Sequence, residues 1–285
     1  MAVTKLIDMH VHTTASDGQF APAQIVAMAA ELGLGGVAVT DHDTVAGIAE
    51  AQAAAEQAGI KLLPGIEMST VAEGKDIHVL GYFTNNQNKQ WQQRIARLGA
   101  TREGRNELLV QRLNELGIPL TMDEVREISG ELGSVGRPHF AEALVRRGIV
   151  ATKQQAFEQY LGEGGKAFIK RPRIHPTEAF QWIREAGGVC VLAHPGIYGD
   201  DSLVEQLLQS GPDGVEVKHS DHTPEQIAYY MELAERYGLI ATAGSDFHGY
   251  YEEGHSFHGG LGSVTASLDV YEQLHSLHME RTAKS

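Results

Sequence analysis

Short apolar runs recur along the chain and alternate with stretches of helical periodicity. Seven such runs begin near residues 6, 37, 62, 77, 189, 215 and 240. Runs of this length are typical of buried strands. Helices are predicted after most of them, over 22–32, 44–58, 177–186, 203–208 and 224–237. The last helix has a clear start signal, because Thr223-Pro224-Glu225-Gln226 offers an N-cap, a proline at the first helical position and a glutamine at the third.

The order of these elements predicts the fold class. Strands that alternate with helices favour a parallel sheet, and seven strands favour a closed or distorted barrel over an open doubly wound sheet. The run at 77–83 follows the third run without room for a crossover helix, which departs from a regular barrel. About 100 residues separate the fourth and fifth runs, far more than one crossover needs. We therefore predict an α/β fold, a distorted (β/α)7 barrel of residues 1–84 and 176–285 with an inserted subdomain at 85–175.

The insertion has a helical pattern of its own. A long helix is predicted over 88–116 with Gly117 closing it, and Thr121-x-x-Glu124 forms a capping box. Further helices are expected from about Pro138 and around 152–161. The chain has no internal repeat and no low-complexity linker, so we expect the insertion to cover the barrel mouth as a lid. A purely structural appendage is the alternative.

Charge is divided unevenly between these two regions. The 285-residue chain has a net charge of −14. Residues 85–175 hold 15 Lys and Arg against 10 Asp and Glu, whereas the rest holds eight against 27. An acidic body with a basic insertion suggests cations held in the body and an anionic substrate met by the insertion. Stable binding to long nucleic acid is not expected, because the chain as a whole repels phosphate. No obligate protein partner is evident.

Composition narrows the setting of the protein. No uncharged apolar stretch reaches the roughly 18 residues that a bilayer span requires, and neither a signal peptide nor a membrane anchor is visible. The single cysteine, Cys190, lies in an apolar run and excludes an intramolecular disulfide. We expect a cytoplasmic protein, since a reducing compartment suits such a chain.

Residues able to bind metal recur at the tips of the apolar runs. In the first run, period-2 alternation puts Asp8, His10 and His12 on one face. A lone histidine beside a strand is usually a hydrogen-bonded core or rim residue, but six such tips in one chain are explained together by a common barrel mouth. The predicted metal ligands are His10, His12, Asp17, His42, Glu67, His78, His194, Asp246 and His248.

This ligand set indicates the chemistry. Carboxylates mixed with many imidazoles suit Mn²⁺, Fe²⁺ or Zn²⁺ and contain too much nitrogen for a magnesium-only site. Nine ligands are too many for one ion, so we expect three divalent ions, Mn²⁺ before Fe²⁺ or Zn²⁺, with Glu67 bridging. Close metal pairs clamp the attacking and leaving oxygens of a phosphoryl transfer and lower the pKa of bound water. A protein nucleophile is not needed, and the serines form no G-x-S-x-G elbow.

Seven short motifs surround these ligands: His10-Val11-His12, Ser16-Asp17-Gly18, Thr40-Asp41-His42-Asp43, Pro64-Gly65-Ile66-Glu67, His78-Val79-Leu80-Gly81-Tyr82, Ala193-His194-Pro195 and Ser245-Asp246-Phe247-His248. Together they resemble the motif set of the PHP family, the polymerase and histidinol phosphatase group of the amidohydrolase superfamily. The resemblance runs from residue 6 to about 262 and implies a distorted seven-stranded barrel with three ions. It also implies the ligands of each ion: His10, His12, Glu67 and Asp246 for the first, Glu67, His78 and His194 for the second, and Asp17, His42 and His248 for the third.

The insertion contains Gly136-Arg137-Pro138-His139 and ends near Lys170-Arg171-Pro172. In these motifs it resembles the insertion of the family branch that acts on nucleotides. Members of the branch remove a phosphate from nucleoside 3′,5′-bisphosphates or trim short RNA from its 5′ end. Arg137 precedes a predicted helix N-terminus, where a guanidinium and free N–H groups could grip one phosphate. The expected phosphate-binding residues are Arg137, His139, Lys170, Arg171 and His219.

Three residues are predicted to be catalytic: Glu67, Asp246 and His219. His219 lies at the tip of the sixth run, where it could touch substrate or protonate a leaving group, and a structural role is the alternative. The remaining histidines have no motif support and are interpreted as surface or rim residues. They are His175, His222, His255, His258, His275 and His278.

The leading functional hypothesis is a phosphoesterase with three ions whose bridging hydroxide attacks a small 3′,5′-bisphosphorylated nucleotide. Adenosine 3′,5′-bisphosphate would give AMP and phosphate. The main alternative is a 5′-3′ exoribonuclease acting on short 5′-phosphorylated oligonucleotides at the same site. Histidinol phosphatase and amide hydrolase activities are disfavoured by the basic insertion. A non-catalytic metal-binding regulatory module is disfavoured by the intact ligand set.

Overall fold

The computed structural model describes residues 5–129, 135–169, 173–250 and 258–283. The strands in these segments are β1 (Leu6–Asp8), β2 (Gly36–Val39), β3 (Lys61–Ala72), β4 (Lys75–Tyr82), β5 (Val189–Leu192), β6 (Gly214–His219), β7 (Ile240–Gly244) and β8 (Ala266–Ser267). The helices are α1 (Pro22–Glu31), α2 (Ile48–Ala58), α3 (Lys89–Glu115), α4 (Met122–Ser129), α5 (Arg137–Arg146), α6 (Lys153–Ala156), α7 (Pro176–Glu185), α8 (Asp201–Gln209), α9 (Pro224–Tyr237) and α10 (Leu268–Thr282). A π-helical turn, Phe157–Leu161, continues α6, and a 3-10 turn, Pro195–Ile197, follows β5.

One sheet in the order β7-β6-β5-β4-β3-β2-β1-β8 curls into a nearly closed barrel surrounded by helices. Hydrogen bonds close the barrel by joining the segment after β1 to β7 and to the loop that follows β7: Met9 N–H donates to Ala243 O at 3.2 Å, and His12 N–H donates to Phe247 O at 2.9 Å. The predicted α/β barrel and its seven strands are therefore confirmed. The short β8 and the C-terminal α10 were not predicted.

The direction of β4 differs from the parallel sheet expected from the sequence. β4 runs antiparallel to both β3 and β5, whereas β1–β2, β2–β3, β5–β6 and β6–β7 are parallel pairs. The cause is the short turn at Glu73 and Gly74, both with positive φ, because so short a connection can join only antiparallel strands. The reversal brings His78, in the first half of β4, to the barrel end where the parallel strands finish.

Apolar side chains fill the barrel and the layer between strands and helices. Ile7, Met9, Leu63 and Val191 are fully buried in the barrel interior. Helices α1 and α2 cover β2 and β3, and α9 covers β6 and β7. Helix α10 crosses the opposite end of the barrel, where Arg281 bonds Gly188 O and the Asp213 carboxylate just before β5 and β6. Helix α10 therefore covers that end of the barrel, and the opposite end is available for a functional site.

The helical insertion has its own apolar core. Leu113 of α3, Val125 of α4 and Phe140 and Leu144 of α5 are buried together. The first turns of α3 belong to the barrel instead, because Trp91 packs in the cluster that contains strand residues of β3 and β4. Helix α3 therefore connects the two apolar cores as one continuous element of 27 residues.

Most predicted helices begin where their start signals lie. Thr223 and Gln226 form the expected capping box at α9, and Thr121 exchanges hydrogen bonds with Glu124 before α4. Helix α2 begins at Ile48 rather than at 44, because residues 44–47 form the turn that precedes it. Within the described segments, no helix combines the length and the hydropathy needed to cross a bilayer.

Candidate metal centre

All nine predicted ligand side chains lie at one end of the barrel. They come from the ends of β1, β2, β5 and β7, from the loop after β1, and from the middle of β3 and β4. The parallel strands finish at this end, so residues distant in sequence meet there. The expectation of a common barrel mouth agrees with this arrangement.

Glu67 lies at the centre of the group. Its Oε2 is 3.1 Å from His12 Nε2 and 3.0 Å from His42 Nδ1. Its Oε1 is 2.8 Å from His78 Nδ1 and 3.0 Å from His194 Nε2. The two carboxylate oxygens thus face different imidazoles, which is the arrangement that a bridging ligand requires.

The first ligand group is compact. Asp246 Oδ1 lies 3.3 Å from His10 Nε2 and 3.1 Å from His12 Nε2, and Glu67 Oε2 lies 3.4 Å from His10 Nε2. Ligand atoms that bind one ion at about 2.0–2.2 Å in tetrahedral geometry are about 3.3–3.6 Å apart. The observed separations are close to that spacing, so these four residues fit one divalent ion.

The second group is as compact as the first, whereas the third is looser. His78 Nδ1 and His194 Nε2 are 3.3 Å apart beside Glu67 Oε1. Asp17 Oδ1 lies 3.5 Å from His248 Nε2, and Asp17 Oδ2 lies 4.0 Å from His42 Nε2. His12 approaches this third group as well, with its Nδ1 at 3.7 Å from Asp17 Oδ1. The residues of each implied set lie near one another, but His42 is closer to Glu67, at 3.0 Å through Nδ1, than to Asp17, so the division into three sets stays a prediction.

Unpaired buried atoms test whether these residues fit metal ions. Among the described residues, every buried side-chain nitrogen or oxygen without a hydrogen-bond partner belongs to the nine predicted ligands. These atoms are His10 Nε2, His12 Nε2, Asp17 Oδ1, His42 Nδ1, Glu67 Oε2, His194 Nδ1 and Asp246 Oδ1. Each such atom costs about 1–3 kcal/mol in the absence of a partner. Divalent cations in the three groups would satisfy five of these seven atoms, all except His42 Nδ1 and His194 Nδ1, whose rings enter their groups through Nε2, and the donor set is therefore suited to metal.

The protonation states of five of the nine predicted ligands also suit metal binding. Burial opposes ionisation of the carboxyls, but the neighbouring imidazoles outweigh it and hold the pKa of Asp17, Glu67 and Asp246 well below the usual range. Burial lowers the pKa of His42 and His194 to about 4, so both rings are neutral at pH 7. Neutral imidazoles and ionised carboxylates are the forms that bind metal.

His12 differs from these two histidines. Burial alone would lower its pKa, but contacts with Asp246 and Glu67 raise it to about 10. In the protein without ions, a proton on His12 therefore balances part of the carboxylate charge. Metal binding must release that proton, which makes the affinity depend on pH.

A buried carboxylate behind the ligands was missed by sequence reasoning. Glu216 in β6 is fully buried, and its Oε1 is 3.1 Å from His10 Nδ1. Its Oε2 accepts the His194 N–H at 2.8 Å. A carboxylate at this position fixes the tautomer and the ring orientation of a ligating histidine. The signal was available in the sequence, because an acid between buried Val215 and Val217 needs a partner.

Two aspartates order the ligand loops. Asp8 accepts hydrogen bonds from the Ser245 N–H at 2.9 Å and from the Ser245 hydroxyl at 2.6 Å, beside Asp246. Asp41 accepts from the Thr13 N–H at 2.8 Å and from the Ser16 hydroxyl at 2.6 Å, beside Asp17. Asp8 of β1 therefore fixes the loop after β7, and Asp41 after β2 fixes the loop after β1. Each of these loops carries predicted ligands.

The backbone at the site is strained. His194 and Asp246 have positive φ values of 21° and 53°, a region that costs non-glycine residues roughly 1–3 kcal/mol each. Gly244 is required beside them, because a Cβ there would lie 2.3 Å from the His10 Cβ. Packing and hydrogen bonds hold these conformations, and they aim the two ligand side chains inward.

His219 lies next to the first ligand group, as predicted from its strand tip. It is buried, and its Nε2 is 3.3 Å from Asp246 Oδ2. The Asp221 N–H donates to its Nδ1 at 3.2 Å, so the ring hydrogen of the neutral form lies on Nε2. His219 thus presents a proton donor beside a predicted ligand.

The histidines without motif support have different environments. His222 is buried, accepts the Gly196 N–H at 3.0 Å and bonds Val217 O at 2.9 Å, so its interpretation as a surface or rim residue is wrong. His258 lies at the rim of the site, with its Nε2 3.4 Å from Asp246 Oδ2. His175 is exposed and caps α7, and His275 and His278 are half-buried on α10. His255 lies outside the described residues.

A cavity of about 160 Å³ lies over the ligands and is also lined by basic residues of the insertion. Four arginines, named here the arginine wall, and one lysine contribute to it: Arg102, Arg105, Arg137, Arg173 and Lys153. Arg137 was predicted at this place, whereas the other four were not. His139 caps α5 by accepting the Gly136 N–H at 3.0 Å and is not among the described residues that line the cavity. Lys170 and Arg171 lie outside the described residues.

The arginine wall is only partly neutralised. Asp43 pairs with Arg102, and Asp76 of β4 accepts hydrogen bonds from both Arg137 and Arg173. Within the described part of the chain, Arg105 has no such carboxylate and bonds the Asn106 side chain at 2.9 Å. Burial and the neighbouring guanidinium groups hold the pKa of Arg105 well below its usual range. Two carboxylates thus face the four guanidinium groups of the wall, which leaves excess positive charge that an anion would neutralise.

Comparison with known proteins agrees with this geometry. The family model of the PHP domain matches residues 8–240. A 5′-3′ exoribonuclease of Haemophilus influenzae is 34% identical over 279 residues, which cover 95% of this chain and 100% of that protein. A 3′,5′-nucleoside bisphosphate phosphatase of Chromobacterium violaceum is 34% identical over 87% of this chain and 89% of its own length.

A solved structure shows the same architecture. A protein of Bifidobacterium adolescentis, assigned as a metal-dependent phosphoesterase, superposes with a TM-score of 0.86 and 35% identity. The match covers 95% of this chain and 96% of that one. The predicted family and enzyme class are confirmed: this chain belongs to the PHP domain family and is a metal-dependent phosphoesterase.

Proposed function

We propose that this phosphoesterase removes a phosphate from small 3′,5′-bisphosphorylated nucleotides. One observation carries the proposal: a single cavity is lined by predicted metal ligands on one side and by five basic side chains on the other. The scissile phosphate would lie at the ligands, and the second phosphate would lie against the arginine wall. Phosphate recognition by arginine is strong because the guanidinium binds phosphate oxygens in pairs.

The proposed cofactor is a set of three divalent ions, Mn²⁺ before Fe²⁺ or Zn²⁺, held by the nine ligands in the three groups described above. Such ions, when bound, polarise a phosphoryl oxygen and lower the pKa of bound water. The separate directions of the two Glu67 oxygens support its role as the bridging ligand. Asp246 would contribute to the first group and contacts His219 as well.

His219 is proposed as the proton donor to the leaving oxygen. Its Nε2 carries a hydrogen both in the neutral ring, whose Nδ1 accepts the Asp221 N–H, and in the protonated ring, where that hydrogen bond is lost. Burial lowers the pKa of His219, but Asp246 and Glu216 outweigh burial and raise it above the usual value. A raised pKa favours the protonated ring at neutral pH, which is the form that a general acid needs.

The two parts of the chain would have different tasks. We propose that residues 1–84 and 176–285 provide the metal centre and that the insertion, residues 85–175, covers it and binds the second phosphate. Arg102 and Arg137 support this division, because both reach from the insertion to aspartates of the barrel. The proposed substrates do not require a protein partner, long nucleic acid or a membrane. The single cysteine, buried Cys190, supports a reducing, cytoplasmic setting.

The second candidate function is 5′-3′ exoribonuclease activity on short 5′-phosphorylated RNA. The exoribonuclease of Haemophilus influenzae matches over nearly the full length of both chains, and the same ligands would serve a phosphodiester. The small volume of the cavity over the ligands favours a compact substrate at the scissile position. Histidinol phosphate has one phosphate, and four guanidinium groups exceed what it needs.

The experiment is a direct comparison of substrates. Protein stripped with a chelator and reconstituted separately with Mn²⁺, Fe²⁺ and Zn²⁺ is assayed with adenosine 3′,5′-bisphosphate and with a 5′-phosphorylated dinucleotide. We expect the bisphosphate to give AMP and phosphate with the higher kcat/KM. Rapid consumption of the dinucleotide with negligible bisphosphate turnover would replace the first candidate by the second. No turnover of either with any metal would contradict both.

A further inference from the structure

A second cavity, of about 440 Å³, adjoins the one over the metal ligands. Four residues line both cavities and form the partition between them: Ser69, Arg102, Arg105 and Arg173. The second cavity lies between the barrel and the insertion, because α3 provides one wall and β3 and α7 provide residues of the other. None of the nine predicted metal ligands is among the described residues that line this second cavity.

The volumes of the two cavities indicate which part of a bound nucleotide each cavity could hold. Sites for small organic ligands are usually about 300–1,000 Å³. The cavity over the ligands, at about 160 Å³, is below that range and suits a phosphate with its nearest atoms. The second cavity, at about 440 Å³, is within the range. A nucleoside attached to a phosphate at the metal ligands therefore needs the second cavity.

The lining of the second cavity suits a nucleoside. Leu98, Ile169 and Ile174 provide aliphatic surface for the faces of a base. The Arg97 guanidinium on α3 can stack on a planar ring, and Glu178 on α7 can accept a hydrogen bond from an exocyclic amine. Apolar walls with a few polar groups are typical of sites that bind and orient small molecules.

We propose that this second cavity binds the nucleoside of the substrate, with the base between α3 on one side and the side chains of Ile169 and Ile174 on the other. The inference rests on the proposed function and assigns a site for the part of the substrate that does not react. Arg105 lines both cavities and lacks a carboxylate partner within the described segments, so it would bind the phosphate at the junction. Glu178 would favour bases that carry an amine, such as adenine, over uracil.

The test measures binding in the metal-free protein, so that catalysis does not enter. AMP and ribose 5-phosphate are titrated into chelator-treated protein by calorimetry, because ribose 5-phosphate has the same sugar and phosphate but a hydroxyl in place of the base. Thr101→Phe fills the second cavity from α3. We expect this variant to weaken AMP binding at least tenfold and to leave ribose 5-phosphate binding within about twofold.

Matched variants keep the test decisive. Ala100→Phe places the same ring on the neighbouring, exposed position of α3 and should bind AMP as the wild type does. Arg97 is exposed, so Arg97→Glu should fold normally. It provides a second test of the cavity if Thr101→Phe fails to fold. Arg97→Glu should also weaken AMP binding at least tenfold. Glu178→Gln should reduce the preference for AMP over UMP by at least threefold.

The outcomes separate this inference from the proposed function. Wild-type affinity of Thr101→Phe and Arg97→Glu for AMP would overturn the nucleoside site, and so would a wild-type protein that binds ribose 5-phosphate and AMP equally. A protein that binds AMP as expected but fails to hydrolyse the bisphosphate with any metal would support the site and contradict the proposed function.

Discussion

Arg102 of α3 donates two hydrogen bonds to Asp43 Oδ2, at 3.2 and 2.8 Å, and both side chains are buried. Asp43 follows the predicted ligand His42 directly and also accepts the Ser69 N–H at 2.8 Å. The pair therefore fastens the helical insertion to the loop that carries a ligand. Burial opposes the ionisation of Asp43, but Arg102 outweighs it and lowers the pKa of that carboxyl.

Loss of this pair should destabilise the protein strongly. Arg102→Leu leaves the Asp43 carboxylate buried without its cation, which costs about 3–5 kcal/mol in such pairs. We expect the free energy of unfolding, measured by urea denaturation, to fall by that amount. Arg112→Leu on the same helix is the control, because Arg112 is about half exposed and its ion pair is worth less than about 1 kcal/mol. Equal effects of the two substitutions would show that the Asp43 contact does not hold the insertion.

Glu67→Gln should remove metal and activity together. Only a carboxylate can offer two anionic oxygens to separate groups of imidazoles, and Gln replaces one oxygen with a donor NH₂. We expect elemental analysis to find fewer ions per chain and the phosphate-release assay to find no turnover. Glu232→Gln, about two-thirds exposed on α9, is the matched control and should retain both. Full metal content in an inactive Glu67→Gln protein would refute its role as bridging ligand.

Arg105→Ala should impair substrate binding more than Arg137→Ala. Arg137 is held by Asp76 at 2.7 Å, whereas the described residues give Arg105 no such partner, so more of its charge is available for phosphate. We expect KM for the bisphosphate to rise about 10–100-fold in Arg105→Ala with a small change in kcat, which corresponds to about 1.4–2.8 kcal/mol. Arg126→Ala, at an exposed position of α4, should have no effect. A fall in kcat with unchanged KM would contradict a binding role.

Glu216→Gln should weaken metal binding without unfolding the barrel. Glu216 holds the His10 ring and the His194 backbone in place but is not itself predicted to bind an ion. Substitutions behind a ligating histidine typically reduce metal affinity 10–100-fold. Competition with a chromogenic chelator should detect this change, and circular dichroism should report an unchanged fold. Wild-type metal affinity in the variant would show that His10 does not depend on Glu216.

The Asp213 cluster at the closed end of the barrel predicts a pH effect on stability. Burial opposes the ionisation of Asp213, but Arg281, the Cys190 N–H and Arg184 outweigh it and lower the pKa of this carboxyl below 3.8. A lowered pKa contributes stability that is fully present above about pH 4 and is lost as the pH falls through the folded pKa. Asp213→Asn should therefore lower the unfolding free energy at pH 7 by about 2–3 kcal/mol, and the gap to the wild type should narrow below about pH 4.

Chemical denaturation at a series of pH values measures whether the difference in unfolding free energy between Asp213→Asn and the wild type narrows on acidification. Asp123→Asn is the control, because Asp123 is almost fully exposed and should stay within about 0.5 kcal/mol of the wild type throughout. A gap between Asp213→Asn and the wild type that widens on acidification would contradict the assignment.

The sequence by itself predicted the metal ligands and determined most of the elements, because both depend on local pattern. Period-2 alternation placed His10 and His12 on one face, and capping residues such as Thr223 marked where helices begin. The carboxyl ends of parallel strands meet at one end of a barrel, so residues at strand tips could be grouped without coordinates. The PHP motifs then supplied the division into three groups.

Only the tertiary structure decided which distant residues support those ligands. Glu216 and His10 are 206 residues apart, and no local pattern joins them. The arginine wall is likewise assembled from different elements of the insertion, so Arg105 and Arg173 could not be told from surface cations by sequence alone. The antiparallel course of β4 followed from two turn residues, and it brought His78 into the site. Contacts of this kind depend on how elements pack in three dimensions, which sequence spacing does not specify.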